Sequence, residues 1–84
     1  MKIINELTTD VHYEIRGGPL QMTMSECDLM PNEVEEWHNP DPRGGVVSCE
    51  VLVRVGDHEQ QMSVASSAVV RIQPAGASWK IATG

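Results

Sequence analysis

Eighty-four residues with a formal charge of −6 describe one domain with a single modest core, which leaves little stability to spend on a deep, strained catalytic cavity. Twelve acids against six bases argue against direct DNA or RNA binding, because such a surface repels phosphate and offers no Lys/Arg cluster to release counterions. No apolar run approaches the ~20 residues of a membrane span, and "MKIINELTTD" lacks the apolar stretch of a signal peptide.

The chain opens with "IINEL", whose Ile3, Ile4 and Leu7 fit either a strand or one helical turn. "VHYEIR" is clearer, with Val11, Tyr13 and Ile15 alternating with His12, Glu14 and Arg16; period two with β-branched and aromatic residues on one side is a half-buried strand. Gly17-Gly18-Pro19 suits a reversal. "LQMTMS" resumes the alternation through Leu20, Met22 and Met24, and Glu26 breaks it, as a bulge or a strand end would.

Residues 28–45 form an acidic, Pro-rich segment that the sequence predicts as a loop. Pro31 suits a first helical turn, and Glu33, Glu35 and Glu36 would suit a helix N-terminus. Asn39-Pro40 and Asp41-Pro42 stop a helix after at most about two turns. Val34 and Trp37, three apart, would then form the packing stripe.

"VVSCEVLVRV" is the strongest strand, with Val47, Cys49, Val51, Val53 and Val55 on one parity. Gly56-Asp57 follows as a two-residue hairpin with Gly first. Met62, Val64, Ala68, Val70 and Ile72 hold one parity across a break at Ser66-Ser67, although "SSAVVRI" could also continue as a short helix. "QPAGAS" turns the chain into "WKIA", where Trp79 and Ile81 share a face. The expectation is one all-β domain over residues 1–84: a small antiparallel barrel or sandwich of about six or seven strands, with at most one short helical turn.

Charge is concentrated in the first half. Residues 1–42 hold nine acids against Lys2 and Arg16, a balance of −7, while residues 43–84 hold three acids against four bases, a balance of +1. Within the 28–45 segment two pictures of Trp37 stand open. Its indole either folds down as a plug over the core or stands exposed among carboxylates and anchors a partner, as aromatic hot spots do.

Other chemistry finds weak footing. His12, His38 and His58 lack metal-ligand spacing, and Glu35, His38 and Asp41 as a loop site for a divalent ion have nothing in their spacing to require it. Cys49 lies on a core parity, and Cys27 sits between two acids, which disfavour its thiolate. Two cysteines are too few for a disulfide framework or a zinc site. They are expected as reduced thiols in the cytoplasm, the alternative being a bond that closes a loop of about 20 residues. Neither cofactor nor metal is expected.

The composition thus points to a small, acidic, non-enzymatic binding module, an inhibitor or adaptor of a larger protein. It would dock through the 28–45 loop: Trp37 supplies buried area, Glu33, Glu35, Glu36 and Asp41 meet a basic surface, and Arg43 sets orientation. The alternative is a structural subunit of a phage particle or another assembly, joined through its edge strands, and those same edges leave room for a homodimer. A small enzyme is the third and weakest reading.

Overall fold

A computed structural model of the chain describes residues 1–17, 22–38 and 48–84. These form eight strands: β1 (Lys2–Asn5), β2 (Val11–Gly17), β3 (Met22–Leu29), β4 (Val34–Glu36), β5 (Ser48–Val55), β6 (His58–Ala65), β7 (Val69–Ala75) and β8 (Ser78–Thr83). They make two four-stranded sheets, ordered β4-β1-β7-β8 and β3-β2-β5-β6, packed face to face as an all-β sandwich. Among the described residues there is no helix: "IINEL" is strand as far as Asn5, and "SSAVVRI" is a turn at Ser66-Ser67 followed by strand from Val69.

The alternation read in the sequence sets the packing. In the second sheet, Tyr13 lies opposite Val53 and Ile15 opposite Val51, and all four side chains are buried. The first sheet answers with Ile3 beside Val70 and Ile72 beside Ile81, again buried. Leu29, Trp37 and Trp79 complete this one core. Each such side chain contributes on the order of 1.5–3 kcal/mol when taken from water.

Two hairpins follow the same local rule. Gly56 and Gly76 have φ of 59° and 61° and are the first residues of two-residue turns that close Val55 against His58 and Ala75 against Ser78. A positive φ at that position matches the right-handed twist of the flanking strands and favours glycine.

Two expectations are corrected and one open alternative is decided. The sheet of β1 is not wholly antiparallel, since β1 runs parallel to β7. Of the two readings of the broken alternation in β3, a bulge or a strand end, the structure has the bulge, placed at Met24 rather than Glu26: Met24 is an extra residue between the pairs Ile15–Ser25 and Arg16–Thr23, and β3 continues to Leu29. This bulge shifts parity, so Leu29, opposite Val11, points into the core, while Met22, opposite Gly17 at the first residue of the strand, is 64% exposed. Finally, part of the supposed 28–45 loop is sheet: Asp28 and Leu29 close β3, and Val34–Glu36 is β4.

Candidate functional site

The β3–β4 corner is built on a tight turn. Glu33 N–H donates to the Met30 carbonyl at 3.0 Å, with Pro31 and Asn32 as the central residues and Asn32 at φ 65°. Pro first and a positive-φ Asn second are the features of a type II turn. The first-turn helix expected at Pro31 is therefore replaced by a reversal.

Asn5 holds this turn from beneath. Its backbone N–H donates to the Glu33 carbonyl at 3.1 Å, and its own carbonyl accepts from Asn32 N–H at 2.8 Å. The side chain is fully buried and satisfied in three directions. Nδ2 donates to the carbonyls of Thr9 at 2.9 Å and Leu29 at 3.1 Å, and Oδ1 accepts from Leu7 N–H at 2.9 Å.

β4 then runs antiparallel to β1, pairing Ile4 with Val34, Ile3 with Glu35 and Lys2 with Glu36. The ladder extends to Met1 and Trp37, which exchange backbone hydrogen bonds of 2.7 and 2.8 Å. Directly paired residues share a face. Glu35 therefore lies on the side of the buried Ile3, and Trp37 follows it two residues on, while Val34 and Glu36 face outward with Ile4 and Lys2.

This parity decides the Trp37 question. The indole is 9% exposed and belongs to the core, so Trp37 as an exposed anchor among carboxylates is overturned. The exposed apolar groups of the corner are Met30 (61%) and Val34 (49%) instead. Glu33 and Glu35 are half-buried at the rim and Glu36 is exposed. Glu36 lies 4.0 Å from the Lys2 ammonium, both largely solvated, an arrangement worth at most about 1 kcal/mol. Asp41 and Arg43 lie outside the described residues.

A second cluster, not singled out in the sequence, occupies the outer face of the other sheet. Register aligns Asp28, His12, Arg54 and Glu59 on one rung and Glu26, Glu14, Leu52 and Gln61 on the next. His12 sits between two carboxylates, with Nδ1 2.6 Å from Asp28 Oδ1 and Nε2 3.1 Å from Glu26 Oε1. Arg16 grips Glu14 with both Nε and Nη2, at 2.8 and 3.2 Å, and the Thr23 hydroxyl also donates to Glu14. These bonds, Arg16 first and Thr23 second, hold the Glu14 carboxyl below its ordinary value.

An open depression of about 200 Å³ lies over this face, lined by His12, Glu14, Glu26, Leu52, Arg54 and Glu59 among others. Glu14 and Glu26 would repel as directly opposed like charges; the Arg16 guanidinium on Glu14 offsets that repulsion. Glu14, kept ionised, is poorly suited to act as a general acid. The pairs "HxExR" and "ExD" were visible in the sequence, but the bulge at Met24 hid the register that joins them.

The cysteines are free thiols, Cys27 exposed and Cys49 buried. Burial pushes the Cys49 thiol up, which disfavours the thiolate that a nucleophile needs. Among the described residues no three His, Cys, Asp or Glu side chains converge as a metal site would require. Compared with known proteins, the chain matches no family model, no curated protein and no solved structure.

Proposed function

We propose that the chain is a small protein-binding module that docks onto a larger protein through its β3–β4 corner, as an inhibitor or adaptor. The observation that carries this reading is the exposure of Met30 and Val34 on either side of a turn anchored by Asn5, with Glu33 and Glu36 beside them. Apolar groups on a rigid turn lose little entropy on docking, and a carboxylate rim selects a basic surface around the apolar contact. Trp37 serves as foundation beneath the contact rather than as the contact itself. The two free thiols suit a reducing compartment such as the cytoplasm.

The test is affinity capture of partner from host lysate with the native chain and with Met30→Ser/Val34→Ser, run at low and high salt. Both substituted side chains are exposed, so the variant keeps its circular dichroism and melting temperature. Loss of the captured protein with the variant, and weaker capture by the native chain at high salt, support the reading. Capture indifferent to both sinks it.

A second reading, a structural subunit joined through its sheet edges, draws on β3 and β6, each eight residues long at the two edges of one sheet. It predicts concentration-dependent assembly of the pure protein in sedimentation experiments, unaffected by the Met30/Val34 variant.

A further inference from the structure

We infer that the corner recognises its partner by strand addition: an extended segment carrying Lys or Arg around an apolar residue pairs with the free edge of β4. This deepens the docking reading above and rests on it.

The backbone supplies the first argument. Met1 and Trp37 exchange both of their hydrogen bonds, and Asn5 N–H reaches the Glu33 carbonyl. Antiparallel ladders alternate between bonded and non-bonded pairs, so Ile3–Glu35 is bonded while Lys2–Glu36 and Ile4–Val34 are not. Lys2 N–H accordingly turns the other way, to the Ala68 carbonyl at 3.1 Å. By the same geometry the N–H and C=O groups of Val34 and Glu36 point away from β1. In its sheet β4 has β1 as its one neighbour, so among the described residues these four groups face an open edge.

The other edges are less receptive. β3 is interrupted by its bulge, a device that blunts edges. β6 lies against β8 across the sandwich, where Gln60 Nε2 donates to the Trp79 carbonyl at 2.7 Å.

Charge names the occupant. A second copy could pair with β4 antiparallel about a two-fold axis in three registers that match the outward-pointing residues. Val34 against Glu36 puts the two Glu35 residues face to face, Glu36 against Glu36 opposes those carboxylates, and Val34 against Val34 brings Glu35 opposite Glu33. Each opposes like charges directly, which destabilises a sheet. A strand with Lys or Arg opposite Glu35 and Glu36 and an apolar residue opposite Val34 meets no such conflict. It would also complete the β-augmentation pattern of backbone bonds for affinity and alternate side chains for specificity.

The experiment uses a short capped peptide containing the run Lys-Lys-Val, which antiparallel pairing sets opposite Glu36, Glu35 and Val34 in turn, with amide exchange of the full chain followed by NMR. The peptide is expected to bind and to slow exchange at Val34 and Glu36 by about tenfold or more, as new hydrogen bonds protect those amides. A glutamate-for-lysine peptide, and the lysine peptide N-methylated on its bonding edge, are each expected to lose that binding. Strand addition is overturned if the lysine peptide fails to bind, if it binds without protecting Val34 and Glu36, or if N-methylation leaves binding intact. Loss of partner capture by Met30→Ser/Val34→Ser together with unprotected β4 amides would remove strand addition alone and leave docking standing. Unchanged capture by that variant, with β4 protected by the peptide, would remove the docking reading alone.

Discussion

Asn5 Nδ2 donates to the Leu29 carbonyl at 3.1 Å, tying the first strand of one sheet to the last residue of β3 in the other. The same amide reaches Thr9 and accepts from Leu7, so one buried side chain satisfies three backbone groups where the chain crosses between layers. Asn5→Ala leaves those groups without their partner. Each unsatisfied buried group costs about 1–3 kcal/mol, and partial hydration at the crossing offsets some of this, so the expected loss is about 2–4 kcal/mol. Urea unfolding should show a lower midpoint with an unchanged slope. Since the turn at Pro31–Asn32 rests on Asn5, the variant should also broaden the NMR signals of residues 30–33. A loss under about 0.5 kcal/mol would show that the network carries little weight.

Trp37 and Val34 separate foundation from contact. Truncating a large buried aromatic costs about 3–5 kcal/mol, against a total stability of roughly 4–13 kcal/mol for a chain of this length. Trp37→Ala should therefore populate unfolded protein under mild denaturant and lose partner capture only as a consequence of unfolding. Val34→Ser, on an exposed position, should shift stability by no more than about 0.5 kcal/mol while reducing capture on its own. Equal destabilisation by the two changes would contradict the parity of β4.

The contrast also shows what was legible beforehand. Alternation in Val11–Arg16 and Cys49–Val55 exposed two central strands because each buries one face against a core, and Gly56-Asp57 announced its hairpin through the backbone conformation glycine permits. β4 stayed hidden for a physical reason: a three-residue strand holding two Glu has weak strand preference of its own and takes its parity from β1. Val34 and Trp37 therefore looked like one helical stripe although they face opposite ways. Pro31 reads as the start of a helical turn because the acids that follow suit a helix N-terminus, whereas Pro-Asn equally suits the centre of a type II turn. In β3 the broken alternation leaves a bulge and a strand end equally open, because one bulged residue inverts every later side chain and only pairing with β2 shows that the strand goes on. The parallel contact of β1 with β7 joins residues about 67 positions apart, and no local pattern records it.

Asn32 tests the turn directly. At φ 65° the backbone lies in the left-handed region, which Asn and Gly tolerate and β-branched residues resist. Asn32→Gly should leave stability nearly unchanged. Asn32→Val should cost about 1–3 kcal/mol and, by disturbing the turn that presents Met30 and Val34, weaken capture even at temperatures where the domain stays folded. Thermal melts and capture on the two variants check both statements, and an equally stable Val variant would show that the positive φ is not required.

The pH profile should be a plateau with two separately caused limbs. On the acid side, Glu6 lies below its ordinary value of 4.5, held first by the Arg71 guanidinium, which donates from 2.8 Å, and then by Gln73; Glu14 is lowered likewise by Arg16 and Thr23. A carboxyl lowered by folding contributes stability that is present above its unfolded value and is lost as pH falls through the folded one, so stability should decline from about pH 4.5 downward. On the alkaline side burial raises Cys49 above 9.0 and is the first cause that raises Tyr13 above 10.0, with the nearby Glu35 charge adding to it and a Ser25 hydrogen bond opposing. There the native state holds protons that the unfolded chain has released, so stability falls as pH rises past about 9 and again past about 10. Glu6→Gln should flatten part of the acid limb and leave the alkaline one. Cys49→Ala should lower stability at every pH through its cavity, yet remove the first alkaline decline. Urea midpoints measured from pH 3 to 11 would show this, and an alkaline limb unchanged in Cys49→Ala would assign that decline to other groups.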